Sequence, residues 1–152
     1  MKAKSALFLA ALALPLSACG NVGHSGPSAG ELLRAPTTLS LAGRTLSAAA
    51  RPVLEGERLH TQVLIHSSAS TLPLNVQSVY LVTQGGVWQA AGRWRASSCG
   101  AGCRAVEASG PAQGLRSGEQ VQVVVRLQDS AGRNFWLRDE QAAVQRSEGA
   151  AH

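Results

Sequence analysis

Gln120-Val121-Gln122-Val123-Val124-Val125-Arg126-Leu127-Gln128 sets Val121, Val123, Val125 and Leu127 on one side of the chain, and Gln120, Gln122, Val124, Arg126 and Gln128 on the other. A period of two with one apolar side describes a strand that lays one face on a core. Asp129-Ser130-Ala131-Gly132 follows, with Asp at the first and Gly at the fourth position of a type I turn, and residues 134–138 return as a partner strand. The unit is a hairpin. Upstream the alternation recurs: Leu59, Thr61, Val63 and Ile65 oppose His60, Gln62, Leu64 and His66, while Val76, Ser78, Tyr80 and Val82 oppose Gln77, Val79, Leu81 and Thr83. Gly85-Gly86 separates that last run from 87–91 and marks a second hairpin or a tight corner. Shorter strands are expected at 38–42, 45–49, 104–108 and 142–146, with turns at Gly43, 52–56, 67–73 and 111–118. The expectation is an all-β fold, a two-layer antiparallel β-sandwich of about seven strands spanning 37–146.

Leu115-Arg116-Ser117-Gly118-Glu119, then Val121-x-Val123-x-Val125, then Asp129-x-x-Gly132, resembles the late strands of immunoglobulin-like domains in bacterial surface proteins. The resemblance implies an immunoglobulin-like β-sandwich and no activity. The disulfide that joins the two sheets in that family is not visible, because neither Cys99 nor Cys103 falls in a long core strand.

The chain has 152 residues, 45% hydrophobic and 15% charged, which excludes a highly charged disordered protein and supports one compact core. No apolar run reaches the roughly 18 residues of a spanning helix. The formal net charge is +5, but Lys2 and Lys4 are the only lysines. Without them twelve arginines face nine acidic residues, an excess of +3. The arginines are dispersed from Arg34 to Arg146 with no run of three, so the concentrated basic patch of a nucleic-acid surface is missing and no nucleic-acid partner is expected.

Lys2 and Lys4 precede an apolar stretch at 6–16 that ends in small residues, the order of an export signal. Leu16-Ser17-Ala18-Cys19 resembles the lipobox of bacterial lipoproteins. That resemblance implies a diacylglyceryl thioether on Cys19 and cleavage that leaves Cys19 as the first residue. An ordinary signal peptide cut beside Ala18 or Gly20 is the alternative. The organisation expected is a lipoprotein signal peptide at 1–18, a lipidated flexible tether at 19–36, the sandwich at 37–146 and a disordered C-terminal tail at 147–152. Gly20, Gly23, Gly26, Pro27, Ser28 and Gly30 support the tether, whose reach as a random coil is about 20–25 Å. The lipobox resemblance implies membrane attachment through Cys19 in a bacterial cell envelope, and by analogy with that family Gly20 in place of an aspartate favours an outer membrane where the organism has one.

Cys99-Gly100-Ala101-Gly102-Cys103 lies, by this reading, in an oxidising compartment, where a disulfide is the default state. A ring that small removes only about 2 kcal/mol of unfolded-chain entropy. The alternative is a metal or redox site, which lacks a downstream ligand other than His152 and a helix to lower a thiol pKa. His60 and His66 share a strand face about 20 Å apart, too far to hold one ion, and read as exposed strand histidines. No Gly-x-Ser-x-Gly elbow, carboxylate pair or phosphate loop is present, so no catalytic residue, metal or cofactor is assigned. A triad could come only from distant positions, Asp129 or Asp139 with His60 or His66, and both aspartates are explained by their turn or strand end. Trp88, Trp94 and Trp136 are three of six aromatic residues, and plain core packing is the expectation for at least two of the three. Trp136 must point opposite to Phe135 and Leu137, so one set faces out or meets another layer. With Arg93 and Arg95 flanking Trp94, the candidate partner contacts are Trp94, Trp136, Arg93 and Arg95, for an envelope protein or glycan. The functional expectation is a lipid-anchored cell-envelope binding or assembly module without catalysis. Its alternatives are a periplasmic metal or redox accessory protein using Cys99 and Cys103, and, more remotely, an enzyme assembled from loops.

Overall fold

The computed structural model describes residues 26–68 and 73–148. A short helix, α1 (Ala29–Leu32), precedes ten strands: β1 (Thr38–Leu41), β2 (Arg44–Glu55), β3 (Arg58–Ser67), β4 (Asn75–Thr83), β5 (Gly86–Ala91), β6 (Arg93–Ser98), β7 (Cys103–Pro111), β8 (Gln120–Gln128), β9 (Asn134–Ala143) and β10 (Gln145–Arg146). One sheet runs β1-β2-β3-β7-β6 with β10 added on β2, and the other runs β5-β4-β8-β9. Pairing is antiparallel except for β10 on β2. With β2, β3, β7 and β6 as strands A, B, E and D, and β4, β8 and β9 as C, F and G, this is the immunoglobulin-like order, β5 extending the second sheet beside C.

The described residues hold more strands than the seven or so expected. Part of the excess comes from β6, where Gly92 alone carries the chain from one sheet to the other. A Cβ at Gly92 would stand 2.8 Å from Val76 Cγ2, so only glycine fits this crossing. Pro52 does not turn the chain either: β2 runs through it to Glu55. The N–H of Ala50 points away from β3, to Asp139 Oδ2 at 2.7 Å, and position 52 has the same orientation, so proline removes no bond between β2 and β3.

The core forms where the alternating faces meet. Val121, Val123, Val125 and Leu127 of β8 are buried with Leu59, Val63 and Ile65 of β3, as the pattern requires, together with Val106 and Leu137. Each such side chain contributes roughly 1.5–3 kcal/mol by leaving water. Strand β4 departs from simple alternation. A register shift between Val76 and Ser78 puts Val76 against the same core as Val79 and Leu81, while Tyr80 and Val82 belong to the opposite face. Trp88 is buried across Gly110, and its Nε1 donates to the Pro111 carbonyl at 2.8 Å. The 129–132 turn is as expected: the Gly132 N–H reaches the Asp129 carbonyl at 3.1 Å, and Gly132 has φ 82°.

The expected tether is corrected over its second half. Ser28 and Glu31 form a capping box that starts α1, and Leu32 and Ala35 are buried on Tyr80, Val82, Val124 and Trp136. Arg138 fastens the segment to β9, its backbone N–H donating to the Pro36 carbonyl and its Nε to the Ala35 carbonyl, both at 2.9 Å. Residues 26–36 therefore belong to the domain. The segment also explains why Val124, on the nominally polar side of β8, is fully buried. The expected signal peptide, Cys19 and most of the expected C-terminal tail lie outside the described residues.

Candidate functional site

Strand β3 turns His60, Gln62, Leu64 and His66 to the outer face of the six-stranded sheet, because Leu59, Thr61, Val63 and Ile65 take the core side. Register then assembles a row across four strands: Arg51 of β2 pairs with Gln62 of β3, Gln62 with Glu107 of β7, and Glu107 with Arg93 of β6. Three strand spacings put the backbones of Arg51 and Arg93 roughly 14 Å apart, within reach of one extended ligand. Together with His60 and Arg95 these side chains line an open hollow of about 560 Å³.

Charge in the hollow is partly cancelled. Arg95 Nη1 pairs with Glu107 Oε1, and His60 Nε2 lies 3.3 Å from Glu55 Oε2. Arg51 and Arg93 are exposed and make no ion pair among the described residues. Two unpaired guanidinium forks facing one hollow can each take a carboxylate or phosphate through two parallel hydrogen bonds. Ser109 stands opposite His60 on β7, but no hydrogen bond joins its hydroxyl to the imidazole.

Of the four contacts expected from sequence, Arg93 and Arg95 meet in this hollow and the two tryptophans do not. Trp94 points to the other side of β6, against the core, where its Nε1 donates to the Leu74 carbonyl at 3.0 Å. The cation over its ring is not a sequence neighbour but Arg104, 3.8 Å from the centroid. Trp136 lies half-buried on the outer face of the other sheet, 5.7 Å from Tyr80. Cys99 and Cys103 are joined by a disulfide that closes the turn between β6 and β7. His60 and His66 are both exposed on the outer face.

Asp129 and Asp139 are both engaged by backbone N–H groups, those of Asp129 local and those of Asp139 including one from β2 of the other sheet. Asp129 accepts from the N–H groups of Arg133 and Ala131, at 2.9 and 3.0 Å, and chiefly the Arg133 bond holds its carboxyl below the ordinary range. Asp139 accepts from Ala50 and Gln141. Among the described residues no three His, Cys, Asp or Glu side chains gather as a metal-holding group, and no helix is long and apolar enough to cross a membrane.

Sequence reasoning missed Arg51, Glu55 and Glu107 and passed over Gln62 as an ordinary outward residue. Parity revealed the outward face of β3, but which residues stand beside it depends on register, and Arg51 precedes a proline that reads as a turn. No protein-family model matches the chain, and no curated protein matches it.

Proposed function

We propose that this chain is a lipid-anchored, non-catalytic binding or assembly module of a bacterial cell envelope. It is held to a membrane through an acylated Cys19 and engages its partner with the hollow on the six-stranded sheet. The observation that carries the reading is the pair of unpaired guanidinium groups, Arg51 and Arg93, at opposite ends of one cross-strand row. An exposed arginine without a partner is common; two that face one concave surface across a polar floor form a recognition geometry for an anionic group. The partner is an envelope protein or glycan bearing carboxylate or phosphate groups. Chemistry in the hollow is hydrogen bonding and ion pairing, with no nucleophile tied to a base.

The metal or redox reading has less support. Both thiols are consumed by their bridge, and no donor cluster surrounds them among the described residues. Thiol labelling with metal analysis of the isolated protein separates the two readings: oxidised, metal-free protein supports binding, whereas free thiols with stoichiometric copper or zinc support the alternative. For the binding reading, a photo-crosslinking side chain at Gln62, in the middle of the row, should give a discrete adduct on intact cells. Sensitivity of that adduct to protease or to glycosidase distinguishes protein from glycan. Mass spectrometry of the mature N-terminus should find an acylated Cys19, and Cys19→Ser should release the protein; an unmodified N-terminus downstream of Cys19 removes the anchor from the account.

A further inference from the structure

We infer that a second surface, the groove between residues 26–36 and strands β8 and β9, docks on the headgroup layer of an anionic membrane. The groove has a volume of about 680 Å³, with Pro27, Leu39, Phe135 and Trp136 among its apolar lining and Arg34 and Arg126 as its cations. Arg126 stacks 5.5 Å from the Trp136 centroid and donates through Nε to Asn134 Oδ1 at 3.2 Å. Neither Arg34 nor Arg126 makes an ion pair among the described residues. The one carboxylate lining the groove among the described residues, Glu31, is engaged by the N–H of Ser28 in the capping box. An indole beside unpaired guanidinium groups suits the boundary where apolar chains meet lipid phosphates.

Chain length selects the membrane as occupant. Gly26, which lines the groove, is only seven residues on from Cys19, and that span cannot exceed about 25 Å even fully extended. On the reading that Cys19 is acylated, on which this proposal rests, the groove is confined near the bilayer at an effective concentration on the order of millimolar or higher. Weak affinity then suffices to orient the domain. The anchor sets the distance, and the groove sets which face turns to the lipid.

The test takes the protein purified from cells, in whatever N-terminal form mass spectrometry finds, into vesicles of brominated phosphatidylcholine with or without phosphatidylglycerol. Tryptophan quenching should be stronger in the anionic vesicles. Arg34→Glu with Arg126→Glu should weaken the anionic enhancement about 25-fold or more, since each cation near such a surface contributes roughly fivefold. Arg34→Glu alone, at an exposed position, should weaken it about fivefold without touching the Trp136 contact. Arg51→Glu with Arg93→Glu should leave it unchanged. Equal quenching in neutral and anionic vesicles, quenching that survives both reversals, or none at all overturns the proposal even when Cys19 is acylated. A dimer in sedimentation that Trp136→Ala abolishes also overturns it, in favour of a second copy. An unacylated N-terminus with charge-dependent quenching intact supports the groove and removes the anchor alone.

Discussion

On the outer face of the four-stranded sheet, Tyr80, Val82, Val124 and Trp136 are covered by α1 and the residues after it; on the outer face of the six-stranded sheet, Arg51, His60, Gln62, Arg93 and Glu107 stand open. Both faces belong to one sandwich and share its core. They differ in what their outward positions carry. An apolar outer face has to be covered, and this chain supplies its own cover from residues 26–36. The polar face can remain in water, which frees its two unpaired guanidinium groups for a partner. The covered face thus contributes stability and leaves only the groove beside its cover open, whereas the other face stands open across its whole polar row.

Removing the cover's central side chain should give the largest effect. Leu32 is 1% exposed, and Leu32→Ala should cost about 2–5 kcal/mol in denaturant unfolding, with a change in tryptophan emission as Trp136 is uncovered. A loss below about 0.5 kcal/mol would mean that the segment merely rests on the sheet.

Breaking the bridge ranks next. Cys99→Ser with Cys103→Ser should lose on the order of 2 kcal/mol or less and leave the domain folded, with faster amide exchange confined to the β6–β7 turn. Bound metal lost in that variant would instead favour the redox or metal reading.

The core under the open face holds a smaller, opposite effect. Thr61 is buried on the inner side of β3, and its hydroxyl has no hydrogen-bond partner among the described residues. Thr61→Val should therefore stabilise the protein, by about 1 kcal/mol in the same unfolding assay. A loss of stability would show that the hydroxyl is bonded.

Acid should separate the faces most finely. The Ser28 backbone N–H, with its hydroxyl and the nearby Arg34, holds the Glu31 carboxyl below its ordinary 4.5. A lowered folded pKa gives a contribution that is present above the unfolded value and lost as pH falls through the folded one. Amide-exchange protection at α1, taken relative to the intrinsic exchange rate at each pH, should thus fall below about pH 4.5, and the same sign applies at Asp129, lowered from 3.8, for the β8–β9 turn. Glu31→Gln should remove the α1 response; protection there that still falls with acid would contradict the capping role.

Residues 120–138 made the hairpin legible because parity, turn chemistry and return strand agree there, and the core side of β3 followed from the same rule. What parity could not supply was the local exception. Pro52 reads as a turn but occupies an edge position with no bond to lose. The bulge after Val76 shifts the faces of β4. Gly and Pro around α1 hide a capping box whose signal, Ser28-x-x-Glu31 ahead of Leu32, was present but outweighed by composition. At the site, Arg93 and Arg95 were legible as neighbours in sequence, whereas Arg51 and Glu107 joined them only through pairing of strands tens of residues apart.

The central claim is that the open face recognises a partner and is not needed for the fold. It is tested most directly by measuring, on the same Arg51→Glu, Arg93→Glu protein, both unfolding free energy and the adduct formed from Gln62 on intact cells. The account predicts stability within about 0.5 kcal/mol of the unaltered protein and loss of the adduct. An adduct that persists, or a loss of stability above about 2 kcal/mol, would contradict it.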